Sequence, residues 1–213
     1  MNSHRCRLHP HRLGPAAGML TGLVLGVALS ACVSAPAQSI SASSALHAVP
    51  VSAGMADVPF DLGDLERRIL REVNAARRAA GRSPLTPDPE VTSIARAHSR
   101  AMAQQSFYDH RDLAGRLPAD RAYDAGYRFQ RYGENLFAGA LFDTKSIWRE
   151  GGRTRVSYLW YTPDELAATV VEGWMESVGH RENMLSGFYS HFGVGVATTY
   201  EHRVFVTLNL SAP

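Results

Sequence analysis

Apolar residues at helical spacing mark the first half of the chain, and two alternating runs close it. From Asp61 to Ala80, Leu62, Leu65, Ile69, Val73 and Ala76 fall on one stripe, and Gly81 stands where a helix stops. The turn-rich Arg82–Pro89 bridge leads to a second predicted helix over Pro89–Gln105, with Val91, Ile94, Ala95, His98, Ala101 and Met102 on its buried face. A short helix is read near Ala119–Ala125. Thr162-Pro163-Asp164-Glu165 has the form of a capping box opening a third long helix, whose inner face holds Leu166, Val170, Trp174 and Ser177. Gly179 reads as its stop, leaving His180 at the helix mouth. The period then switches to that of a strand: Gly193–Thr199 and Arg203–Leu210 alternate around a turn at Tyr200–His202, an antiparallel hairpin. Helices first and a hairpin last predict an α+β fold.

The segment at about 140–163 departs from this order. It mixes Trp148, Tyr158, Trp160 and Tyr161 with Arg149, Arg153 and Arg155. Two readings stand: a binding surface or lid, and a hairpin turned at Gly151-Gly152 that tucks its aromatics against the domain. Upstream, Arg5, Arg7 and Arg12 precede an uncharged stretch, Leu13 to Ala31, and Leu29-Ser30-Ala31-Cys32 has the form of a bacterial lipobox. Residues 1–31 are therefore expected to be a lipoprotein signal peptide, with acylated Cys32 as the first mature residue. The competing reading is an uncleaved transmembrane anchor. Val33, rather than an aspartate, in the second mature position resembles the sorting pattern for an outer membrane, where one is present. Residues 32–59 are rich in Ser, Ala and Pro, a disordered tether spanning about 30 Å. Residues 60–213 make the folded domain.

Charge narrows the partners. The 213 residues hold 22 basic and 20 acidic side chains, and loss of the three leader arginines leaves 19 against 20. No basic stripe remains, so nucleic acid is excluded as a partner. Of two cysteines, Cys6 lies in the leader, so the mature chain has no internal disulfide and its core must hold unaided.

Four ordered stretches carry a family resemblance: Ile69-Leu70-x-x-Val73-Asn74-x-x-Arg77; Ala97-His98-Ser99-x-x-Met102-Ala103 with His110 after it; Gly133-Glu134-Asn135-Leu136; and Trp174-Met175-x-Ser177-x-x-His180-Arg181-x-Asn183-Met184-Leu185 followed by Gly193-Val194-Gly195-Val196-Ala197. From Asp61 to Leu210 the chain resembles bacterial members of the CAP superfamily, the SCP-like domains of cysteine-rich secretory, antigen 5 and pathogenesis-related class 1 proteins. The resemblance implies a three-layer α-β-α sandwich and a cleft with two histidines and two glutamates. His110, Glu134 (in a Gly-Glu-Asn turn) and His180 match three of these. The fourth position is Ser177, and compact bacterial relatives lack most of the 140–163 insertion. Glu172 and Glu176 fall on the solvated side of their helix, and Glu182 lies beyond the break, so none replaces the missing carboxylate. Asn135, Ser177 and Asn183 are expected to support the cleft.

Two neutral imidazoles and a carboxylate suit a zinc-like ion with room for water. Alternatively, Glu134 hydrogen-bonds a histidine and fixes its tautomer, or the three groups form a polar cluster without a metal. His98, on an apolar stripe, is read as a hydrogen-bonded core histidine. Ser177 lacks a carboxylate partner and no Gly-x-Ser-x-Gly elbow occurs, which disfavours a serine nucleophile. The preferred function is an exported, lipid-anchored binding module, held to membrane lipid through Cys32, whose cleft takes a divalent metal or a lipid, sterol or peptide ligand. The alternative is a metal-assisted hydrolase of envelope peptides or esters, with Glu134 as general base to bound water.

Overall fold

The computed structural model describes residues 60–213 and the backbone of the short strand β1 (Arg5–Arg7). The rest of the expected leader, Cys32 and the tether lie outside the described residues. No helix among the described residues is long and apolar enough to cross a membrane.

Asp61 caps α1 (Leu62–Ala79) by accepting hydrogen bonds from the Gly63 and Asp64 amides, and Asp88 caps α2 (Pro89–Gln105) in the same way. The two-residue strand β2 (Thr86–Pro87) lies between them. α2 ends at Ser106 in the left-handed region, and α3 (Pro118–Asp124) follows an eleven-residue loop, 107–117. β3 (Arg131–Ala140) then leads to a hairpin of β4 (Phe142–Glu150) and β5 (Arg153–Trp160). The predicted capping box opens α4 (Pro163–Glu176): the Glu165 amide donates to the Thr162 hydroxyl, and the Glu165 carboxylate accepts from the Thr162 amide. α5 (Val178–Leu185), β6 (His191–Thr198) and β7 (Arg203–Ala212) complete the chain.

The central sheet has the order β2-β6-β7-β3, antiparallel except for the β2–β6 pair. One face packs on α1, α4 and α5, the other on α2 and α3, which gives the expected three layers. Strand β7 is buried on both faces. Val204, Val206, Leu208 and Leu210 face the main core of Leu65, Ile69, Leu166, Val170 and Trp174, while Phe205, Thr207, Asn209 and Ser211 face α2. At β6, α2 comes close enough that only glycine fits. A Cβ on Gly193 or Gly195 would stand 2.2 or 2.1 Å from an α2 backbone nitrogen. The Val196 amide of β6 donates to buried Glu66 of α1, which also accepts from Arg96 of α2 and so ties the two helices together.

Three local expectations are corrected. Gly133-Glu134-Asn135 forms no turn: it lies within β3, and Gly133 leaves space for the Tyr189 ring, whose hydroxyl would stand 2.5 Å from a Cβ there. Gly179 does not stop the long helix. The break falls at Ser177, whose extended backbone (ψ 124°) separates α4 from α5, and His180 sits in the first turn of α5. Ser177 consequently leaves the core for a half-buried junction, and Glu182 is exposed on α5.

In the 140–163 segment the hairpin reading holds, turned at Gly151-Gly152, both with positive φ. Its base is tucked in, with Phe142, Tyr158 and Trp160 packed together and the last two edge-on to His202. Its tip is not, because Trp148 remains exposed. These contacts go to the β6–β7 turn rather than to His110, Glu134 or His180.

Candidate functional site

The site forms along β3, the free edge of the central sheet. Alternation along this strand sends Glu134 toward α2 and its neighbour Asn135 toward α5. On the α2 side, the Glu134 side chain is 1% exposed and bonded through both oxygens. Oε1 accepts from His110 Nδ1 at 2.9 Å, and Oε2 accepts from the Arg121 guanidinium at 2.6 Å. A buried carboxylate needs such compensation, and Arg121, itself 8% exposed, supplies it from α3. Arg121 also donates to the carbonyls of His110 (2.7 Å) and Arg116 (3.1 Å), which clamps the loop that presents His110. Within that loop, Asp109 accepts from the Arg111 amide and Asp112 from the Ala114 and Arg116 amides.

His98 lies beneath this pair, 1% exposed. Its Nε2 donates to the Asp109 carbonyl at 3.0 Å and stands 4.0 Å from Glu134, and the ring packs edge-on against Phe107. Burial holds its pKa below the ordinary histidine value, so the ring is neutral and unprotonated at Nδ1. It is a hydrogen-bonded core histidine that supports the loop.

On the α5 side, fully buried Asn135 donates to the His180 carbonyl at 2.9 Å and accepts from Asn183 Nδ2 at 3.0 Å. Asn183 also reaches the Glu134 carbonyl at 3.3 Å. These two amides fix the first turns of α5 against the sheet edge, and thereby place His180. Ser177 forms no side-chain cap of α5 and contributes only backbone hydrogen bonds at the junction.

His110 and His180 therefore stand in opposite layers on either side of a single edge strand, near enough for the charge of His110 to act on His180. The hydrogen bond to Glu134 raises the His110 pKa against the opposing effect of burial. Burial lowers that of His180, and the nearby charge of His110 adds to the effect. At neutral pH the arrangement favours an imidazole at His180 that is free to donate its lone pair. With His110 Nδ1–H committed to Glu134, its Nε2 is left for a ligand when the ring is neutral.

A zinc-like ion has these two imidazoles available as ligands. Glu134 offers no free oxygen, and among the described residues no group of three His, Cys, Asp or Glu side chains is placed to hold one ion. By their chemistry the donors are those of a two-histidine site, with Glu134 orienting His110. They do not suit a site with three protein ligands. Sequence reasoning missed Arg121. The only signals were its position in a proline-started helix between His110 and Glu134, and the need of a buried strand carboxylate for a cation.

Comparison with known proteins places this geometry. The chain is 29% identical over 137 residues to the uncharacterized protein YkwD of Bacillus subtilis (strain 168), covering 64% of this chain and 44% of that protein. It thus spans less than half the length of that curated relative. Among solved structures, an extracellular protein containing an SCP domain from Bacillus anthracis str. Ames superimposes with a TM-score of 0.54 at 24% identity, over 71% of this chain and 41% of the other. An outer surface protein of Borrelia burgdorferi gives 0.56 at 16% identity, over 72% and 96%. The family model of the cysteine-rich secretory proteins matches residues 70–210, well over half of the chain, from the middle of α1 to near the end of β7. With the three-layer fold and the residues gathered along β3, this match establishes that the chain belongs to the CAP, or cysteine-rich secretory protein, family.

Proposed function

We propose that the chain is an exported, envelope-facing CAP domain that acts as a binding module, with His110 and His180 as the groups that take a divalent cation. The reading is supported above all by the double engagement of Glu134. A carboxylate neutralised by a buried arginine and bonded to a histidine is poorly placed to accept a proton from water, so it serves to hold His110 in position. A bound zinc ion would supply a Lewis-acidic centre with positions open to a further ligand. The chain's own part is to present two imidazoles of fixed orientation on a rigid sheet edge.

Calorimetric titration of metal-free protein with zinc tests this. The expected result is a heat of binding in the parent that is lost or weakened at least about tenfold in His110→Ala and in His180→Ala, with melting curves preserved. Turnover of peptide or ester substrates by the parent, abolished in a folded Glu134→Gln variant, would overturn the binding reading in favour of a hydrolase. Anchoring belongs to the same proposal. The mature chain should begin with an acylated Cys32, and mass spectrometry of the N-terminal peptide from membrane-extracted protein distinguishes that from an intact leader.

A further inference from the structure

Among the described residues, the β4–β5 hairpin is the segment whose large apolar side chains are exposed on both faces. Its register sets Ile147 opposite Val156 on one face, 49% and 45% exposed. On the other face lie Trp148 and Leu159, 46% and 64% exposed. Each face also carries two cations: Lys145 and Arg149 beside the Ile147–Val156 pair, Arg153 and Arg155 beside Trp148. Among the described residues none of the four forms a salt bridge, and the hairpin's only acids are Asp143 near its base and Glu150 beside the turn. Among the described residues β1 pairs with β4 at Thr144–Ser146, short of the tip. A two-stranded ribbon with apolar groups on both sides gains little from water.

We infer that the tip of this hairpin is a contact site for an anionic lipid surface. A protein groove covers one face of a ribbon, whereas the interfacial layer of a bilayer receives both, taking apolar side chains inward and leaving guanidinium groups among lipid phosphates. Tryptophan beside arginine is the composition that such a layer selects. The contact is independent of the histidine cleft, and zinc binding can fail or succeed without bearing on it.

The test uses the mature chain, residues 32–213, carrying Cys32→Ser, so that neither the leader nor an acyl chain contributes, with vesicles of phosphatidylcholine alone or mixed with phosphatidylglycerol. Co-sedimentation should be tighter on the anionic vesicles. The Arg149→Gln/Arg153→Gln/Arg155→Gln variant should lose roughly fivefold in partitioning per arginine there, with no change on phosphatidylcholine. Brominated acyl chains should quench the fluorescence of the parent, and Trp148→Phe should remove most of that quenching, because Trp174 is buried in the core and Trp160 is half-buried against His202 at the hairpin's base. Equal sedimentation of the triple variant and the parent on anionic vesicles overturns the inference. So does quenching that persists undiminished in Trp148→Phe.

Discussion

Glu134 and Arg121 are the pair on which the site's geometry rests, since neither has water to fall back on. Replacing Glu134 by alanine leaves the Arg121 cation buried without a partner, and unfolding by urea should show a loss of about 3–5 kcal/mol. Adding Arg121→Met to that variant should restore part of the loss, because the desolvated charge is then gone. His110 gives a separate signature. Its folded-state pKa is raised by Glu134, so its contribution to stability is fully present below the unfolded value of about 6.5 and is lost as pH climbs through the raised value. His98 and His180, both lowered, act in the opposite sense and withdraw stability as pH falls below about 6.5. The difference in melting temperature between parent and His110→Gln, measured on metal-free protein, should therefore be larger at about pH 5.5 than at about pH 9. Two-dimensional NMR of the imidazoles should place the His110 midpoint above that of His180.

At the scale of elements, the decisive contact is α2 on β6. Gly195→Ala would drive a methyl group into the Arg96 backbone, which cannot rotate away as a side chain can. A loss of about 3 kcal/mol or more is expected by chemical denaturation. Elements of this kind were also the most legible in the sequence. Thr162 with Glu165 announces a helix start by chemistry that acts within four residues, and the structure follows it. Non-local causes were not legible. Gly133 suggested a turn because glycine often marks one, yet its role is to make room for Tyr189, more than fifty residues away. Ser177, and not Gly179, breaks the helix; a stripe of apolar spacing cannot reveal a chain that turns extended for one residue. β3 escaped the pattern altogether, since both of its faces are covered and Glu134 and Asn135 occupy buried positions.

For the whole molecule, layer order was predictable from the family resemblance, while the partnership of Arg121 with Glu134 required the fold to bring α3 over β3. The hairpin was legible as a hairpin, but its exposed tip was not, because exposure depends on what the rest of the chain fails to cover. Joining Ser146 to Ser157 through Asn-Gly, in register with the existing pair, should change unfolding free energy by less than about 1 kcal/mol, since the removed residues bury no core. Native-state hydrogen exchange should show α2 and β6 opening together and last. With main chain resting on main chain, and no side chain between them to act as a bearing, the two cannot slide past each other. Whatever breathing admits a ligand to the sheet edge must then come from the 107–117 loop and from the α4–α5 joint. Each histidine rides on one of these two pieces, held to the unyielding body by a few side-chain hydrogen bonds and not by main chain pressed on main chain.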